Sequence, residues 1–78
     1  MDIKMFYKSQ DEVAKAINQI IDAYWLNELS EDNMIETIKA LLQNNHSKIF
    51  KDNDYTSVIK QKCGKRRLEV VTRLRELA

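Results

Sequence analysis

The sequence predicts an all-α fold: a small three-helix domain with a short extended N-terminal segment. Three observations lead there. The 78 residues contain no proline and one glycine, Gly64, so helix breakers are nearly absent. Ala, Leu, Ile, Lys, Glu and Gln dominate, a composition that favours helix over sheet. Apolar residues recur at spacings of three and four along most of the chain. A chain this short buries only about 60% of the surface it exposes when unfolded. Residues 1–78 are therefore read as one thin-cored helical domain, without internal repeat or linker.

The N-terminal stretch Met1–Lys8 is the one plausible strand, because Ile3, Met5 and Tyr7 alternate with Lys4 and Phe6. It has nothing obvious to pair with, so an extended segment laid across the helices is expected. Ser9-Gln10-Asp11-Glu12 has capping-box form and opens the first helix. Val13, Ala16, Ile17, Ile20, Ile21 and Tyr24 make its apolar stripe, with Trp25 at the rim and an end near Asn27. Ser30 opens the second helix, with Glu31 and Asp32 where its dipole favours acids. Met34, Ile35, Ile38, Leu41 and Leu42 form its buried face, and Asn44-Asn45 reads as a left-handed stop. The short Glu28-Leu29 connection makes these helices antiparallel neighbours. His46 to Tyr55 is less regular, with Asp52-Asn53-Asp54 as a turn. Thr56 or Ser57 then caps a third helix to about Leu77, with Gly64 as its candidate break. The expected core is Val13, Ile17, Ile20, Ile21, Tyr24, Ile35, Ile38, Leu41, Leu42, Ile59, Val70, Val71 and Leu74.

Charge is where function is most legible. The net value is only +1, but residues 1–57 carry six Lys against ten Asp/Glu, while residues 58–78 carry seven Lys/Arg against two Glu. The octet Lys60-Gln61-Lys62-Cys63-Gly64-Lys65-Arg66-Arg67 holds five of the thirteen basic residues. At 100° per residue, Lys62, Arg66, Glu69 and Arg73 share an outward face, with Lys65 beside them. Such a face is either solvated and laced by Glu69 pairs or a surface for an anionic partner. Arg67 and Lys60 fall inside the apolar sector, where a charge must pair, snorkel or face a partner; Asp22, Glu28 and Glu36 are acids within reach of Arg67. A break at Gly64 would give a helix–turn–helix outline with Lys65-Arg66-Arg67 opening the last helix. The aromatics are not interleaved with these cations in sequence, Tyr55 being the nearest, which points to phosphates of a duplex rather than stacked single strands.

Several chemistries are set aside. One histidine, His46, and one cysteine, Cys63, cannot make a usual four-ligand zinc site within a chain. Cys63 reads as a small buried hydrophobe, the alternative being a thiolate activated by Lys62, Lys65 and Arg66. A calcium loop starting at Asp52 fails at its sixth position, Ser57, and its twelfth, Cys63. One glycine cannot build a phosphate-cradling loop. No enzyme activity, cofactor, metal or small-molecule substrate is expected. The first eight residues lack the apolar core and cleavage site of a signal peptide, and no apolar run approaches the roughly 18 residues that span a bilayer. With a lone cysteine, this leads us to expect a cytoplasmic protein without a membrane partner.

Val58-Ile59-Lys60-Gln61-Lys62-Cys63-Gly64-Lys65-Arg66-Arg67-Leu68-Glu69-Val70, with Phe6-Tyr7-Lys8-Ser9-Gln10 and Ile21-Asp22-Ala23-Tyr24-Trp25, resembles a family of short uncharacterised proteins from Gram-positive, clostridia-like bacteria. The resemblance covers most of the chain. It implies a bacterial source and carries no assigned activity.

The expectation is thus a non-enzymatic binding module that uses Lys62, Lys65, Arg66 and Arg73, with Arg67 if exposed. Candidate partners are duplex nucleic acid or an acidic protein surface. The rival reading is a protein–protein adaptor or small homodimer joined through an apolar face, for which Trp25, Phe50 and Phe6 are the candidates. The sequence leaves the oligomeric state open.

Overall fold

The computed structural model describes Lys4 and residues 6–76. These residues form a largely helical structure of 32 × 24 × 21 Å. Ile3, Met5 and Leu77, on which the strand reading and the helix end partly rested, lie outside the described residues.

Helix α1 spans Gln10–Trp25. The Ser9 hydroxyl accepts the Glu12 amide at 3.2 Å, satisfying one of the amides a helix start leaves open. At the other end Asn27 takes a left-handed φ of 61°. The Glu28 amide then reaches the Ala23 carbonyl at 2.8 Å, and the Asn27 amide reaches Tyr24 at 3.1 Å. This pair of bonds is a Schellman stop with Asn in place of the commoner Gly. Helix α2 spans Glu31–Asn44, and the Ser30 hydroxyl accepts the Asn33 amide at 3.2 Å.

Asn45 corrects one expectation. Its φ of −126° is not left-handed. It ends α2 through its side chain instead: Nδ2 donates to the Leu41 carbonyl and Oδ1 accepts the Tyr7 amide, both at 3.1 Å. Asn45 is only 2% exposed, so the extended N-terminal segment is fastened to the helices by a buried amide.

The three-helix count is also corrected. A fourth, one-turn helix, α3 (His46–Ile49), follows α2. It leads into a hairpin of β1 (Phe50–Lys51) and β2 (Asp54–Tyr55), paired antiparallel with Phe50 opposite Tyr55 and Lys51 opposite Asp54. Asp52 and Asn53 have φ of 53° and 68°. A two-residue turn with both residues left-handed matches the twist of its strands, and Asp and Asn are among the few side chains that tolerate it. The segment was legible as a turn. Its strands are too short to show alternation.

Helix α4 spans Ser57–Glu76 and is capped by Thr56, whose hydroxyl accepts the Ile59 amide at 3.3 Å. Within it, Gly64 has φ 81° and ψ 166°, and the helix is kinked there.

Helix α1 packs against both α2 and α4, which also touch each other. Val13, Ile17, Ile20 and Ile21 of α1 meet Ile38 and Leu41 of α2, Ile49 of α3, and Ile59 and Val71 of α4, all fully buried. Ala14, Ala16 and Ala23 are buried as well, and their small side chains let the backbones approach. Tyr24, Ile35 and Val70, expected in the core, are only partly buried and pack at its edge. Met34 is buried on α2 where its neighbour Ile35 is not.

Candidate functional site

The kink at Gly64 organises the basic segment. Side chains bond backbone carbonyls beside it. Asn18 Nδ2 of α1 donates to the Lys62 carbonyl at 2.9 Å. Arg67 Nη1 donates to the Cys63 carbonyl at 3.1 Å. Arg67 also donates through Nε and Nη2 to the two carboxylate oxygens of Asp22, at 2.9 and 2.8 Å. The fork-to-carboxylate geometry is a strong form of ion pair, and it holds the Arg67 pKa above its ordinary value. Arg67 therefore serves the fold, and it is the least available of the five expected contact residues.

The other four stand differently. Lys62 Nζ lies 3.5 Å from Asp11 with both side chains about half exposed. Hydrogen bonding to Lys15, assisted by the charge of Lys62, holds the Asp11 carboxyl below its ordinary pKa. Arg66 places its guanidinium 5.7 Å from the ring centroid of Trp25 at the end of α1. Lys65 and Arg73 are exposed and line a cleft of about 400 Å³ beside Tyr55, Leu68, Glu69 and Thr72. Among the described residues neither Lys65 nor Arg73 has an ion-pair partner, so the expected Glu69 pairs are not formed. Lys60 pairs with Asp54 of the hairpin instead of pointing into the core. That hydrogen bond, with one from the Tyr55 amide, lowers the Asp54 pKa.

Trp25 was read from sequence as a rim residue and an apolar-face candidate, but its contact with Arg66 was not. It sits 41 positions from Arg66 in sequence, and only the packing of α1 on α4 brings the two together. Its position at the rim of the α1 stripe was the available signal. Trp25 is 44% exposed and its neighbour Leu26 is 68% exposed. Trp25 lines a cleft of about 330 Å³ shared with Tyr24, Met34, Ile35 and Val70. Phe50 does not join them: it is buried, with Arg75 over its ring at 4.1 Å. Phe6 precedes the other end of α1, a helix about 24 Å long.

Cys63 is 2% exposed, with its Sγ 3.8 Å from the Ala14 carbonyl. Burial pushes its thiol up to about 11 against a weaker opposing pull from Arg67. Its lysine and arginine neighbours point outward, so the activated-thiolate alternative loses its basis. Among the described residues, no group of three or more His, Cys, Asp or Glu side chains converges to hold a metal ion. No helix among them is long and apolar enough to cross a membrane.

A family model described as a conserved hypothetical protein matches residues 4–76. The chain belongs to this family. Its designation points to clostridia, in line with the resemblance carried by the Lys60–Arg67 octet and its flanks. The matched span takes in every described helix and the hairpin. No curated protein and no solved structure matches the chain.

Proposed function

We propose that this chain is a non-enzymatic binding module whose working surface is the outer face of α4. Lys62, Lys65, Arg66 and Arg73 supply its charge, and its partner is an anionic surface, duplex nucleic acid being the specific form. One observation carries the reading: Lys65 and Arg73 make no ion pair among the described residues, while Arg66 lies against Trp25. In this reading α4 is two helices meeting at Gly64, and Lys65-Arg66-Arg67 open the second. Cations at a helix start oppose the helix dipole, and a phosphate seated there relieves both. The outline is that of a helix–turn–helix unit in a cytoplasmic bacterial protein.

The test is fluorescence anisotropy of labelled duplex DNA at two salt concentrations. Three phosphate contacts predict a log–log slope of about −2.7, hence about a 40-fold loss of affinity between roughly 50 and 200 mM salt. A Lys65→Ala/Arg66→Ala/Arg73→Ala variant, which leaves the Arg67–Asp22 pair in place, should lose binding while staying folded. Salt-independent binding, or full binding by the variant, would sink the proposal.

A second reading has its own observation. Trp25 and Leu26 are exposed side by side next to the cleft floored by Met34 and Ile35. This suits an adaptor or homodimer joined through an apolar face. Sedimentation at several protein concentrations separates the cases, since a strictly monomeric species removes the homodimer.

A further inference from the structure

We infer that the cleft between α2, α3 and α4 is a binding site for a small organic anion: a carboxylate carried on a flat apolar body. The cleft measures about 350 Å³, at the small end of the roughly 300–1,000 Å³ typical of ligand pockets. Its floor is apolar, made by Leu42, Phe50 and Leu74. Its rim is cationic or donor-bearing, made by Lys39, His46 and Arg75.

Among the described residues no carboxylate lines this cleft, in a chain with twelve Asp and Glu. The cleft along α4 carries Glu69 and Glu76, the one beside Trp25 carries Glu31, and the one near Tyr7 carries Glu12. Lys39 and Arg75 have no ion-pair partner among the described residues. Among the described residues the rim cations thus lack ion-pair partners, and charge complementarity calls for an anion.

Phe50 holds two of the donors in place. The Arg75 guanidinium lies 4.1 Å from its ring centroid, and the His46 ring stacks on it at 4.9 Å, tilted by 42°. A guanidinium already held against an aromatic ring loses less freedom when it meets a carboxylate, and its fork fits both oxygens. The floor explains why a bare ion is the poorer occupant. Leu42, Phe50 and Leu74 gain only from apolar surface removed from water, which inorganic phosphate does not offer.

The probe is naphthoate, titrated into nitrogen-15-labelled protein and followed by amide shifts. Naphthalenemethanol serves as the neutral match, and inorganic phosphate as the anion without a body. Saturable shifts centred on Lys39, Gln43, His46, Phe50 and Arg75 are expected, with both controls weaker by about tenfold or more. Arg75→Gln should weaken naphthoate by about fivefold or more and leave the alcohol unchanged. Lys39→Gln is the second variant, at an exposed position on a different helix. Absence of naphthoate binding at millimolar concentration, equal binding of the alcohol, shifts centred on Trp25 and Arg66, or an unchanged affinity in both folded variants would each overturn the assignment.

Discussion

Arg67 grips Asp22 through two parallel hydrogen bonds of 2.9 and 2.8 Å, joining α4 to α1 across 45 residues of sequence. The same guanidinium holds the Cys63 carbonyl at the kink. One side chain thus ties the helix–helix contact and the kink together. The pair is partly solvated, at 30% and 42% side-chain exposure, so its worth is modest. Arg67→Met should cost about 1–2 kcal/mol and Asp22→Asn about 1 kcal/mol in urea unfolding. A double-mutant cycle should give a coupling of about 1 kcal/mol. A coupling near zero would mean that solvent takes the place of the pair.

Gly64 is required for its backbone and not for lack of room. Nothing lies within 4 Å of where a Cβ would stand, yet φ 81° with ψ 166° is a region that glycine alone occupies readily. Gly64→Ala should cost about 1–3 kcal/mol. D-alanine, introduced by chemical synthesis, should not, because its mirror-image preferences include this region. Equal losses for the two enantiomers would show that the cost is steric after all.

Cys63 makes stability fall at alkaline pH. Burial raises its thiol from the ordinary 9.0 to about 11. The unfolded chain therefore loses this proton first as pH rises. The contribution is intact below pH 9.0 and disappears as pH climbs through about 11. At most about 3 kcal/mol rides on a shift of this size. Cys63→Ala should flatten the stability profile in that window relative to the parent, whatever its offset at neutral pH. Parallel profiles would refute the assignment. Slow alkylation of the native thiol at neutral pH is the companion expectation.

Asn45→Ala should release the N-terminal segment. It removes the acceptor of the Tyr7 amide and the donor to Leu41 from a buried position, at a cost of about 2 kcal/mol. Hydrogen exchange at the Tyr7 amide should accelerate far more than exchange in α1. Uniform acceleration would instead mean that the whole domain is weakened.

These cases show which parts of the molecule a linear reading reaches. Helix starts at Ser9, at Ser30 and at Thr56 or Ser57 were legible because the cap acts within three residues of itself, and the structure selects Thr56. Arg67 was flagged because a helical wheel set it in the apolar sector, and Asp22 was one of three acids within reach. The hairpin escaped because two residues per strand show no period, although its turn was plain from Asp52-Asn53-Asp54. Tyr24, Ile35 and Val70 fit the apolar pattern but end up at the core's edge, since depth depends on where neighbouring helices cross. The Trp25–Arg66 contact, and the meeting of Arg75 with Lys39 and His46, each need residues far apart in the chain, and no local spacing encodes that.

The kink has a consequence for how this chain tolerates change. Gly64 leaves helical geometry and α4 bends there, between residues 57–63 and 65–76. Their heading is set by Asn18 and Asp22, one turn apart on α1, which hold the two sides of the joint. An insertion or deletion between Ser57 and Cys63 would rotate that short half and leave the second half anchored where it is. The same lesion between Gly64 and Arg67 would tear the second half from its mooring and swing its arginines off their bearing. Length variation therefore acts differently on the two sides of the glycine: upstream it turns Ile59 and Cys63 out of the core, and downstream it parts Arg67 from Asp22.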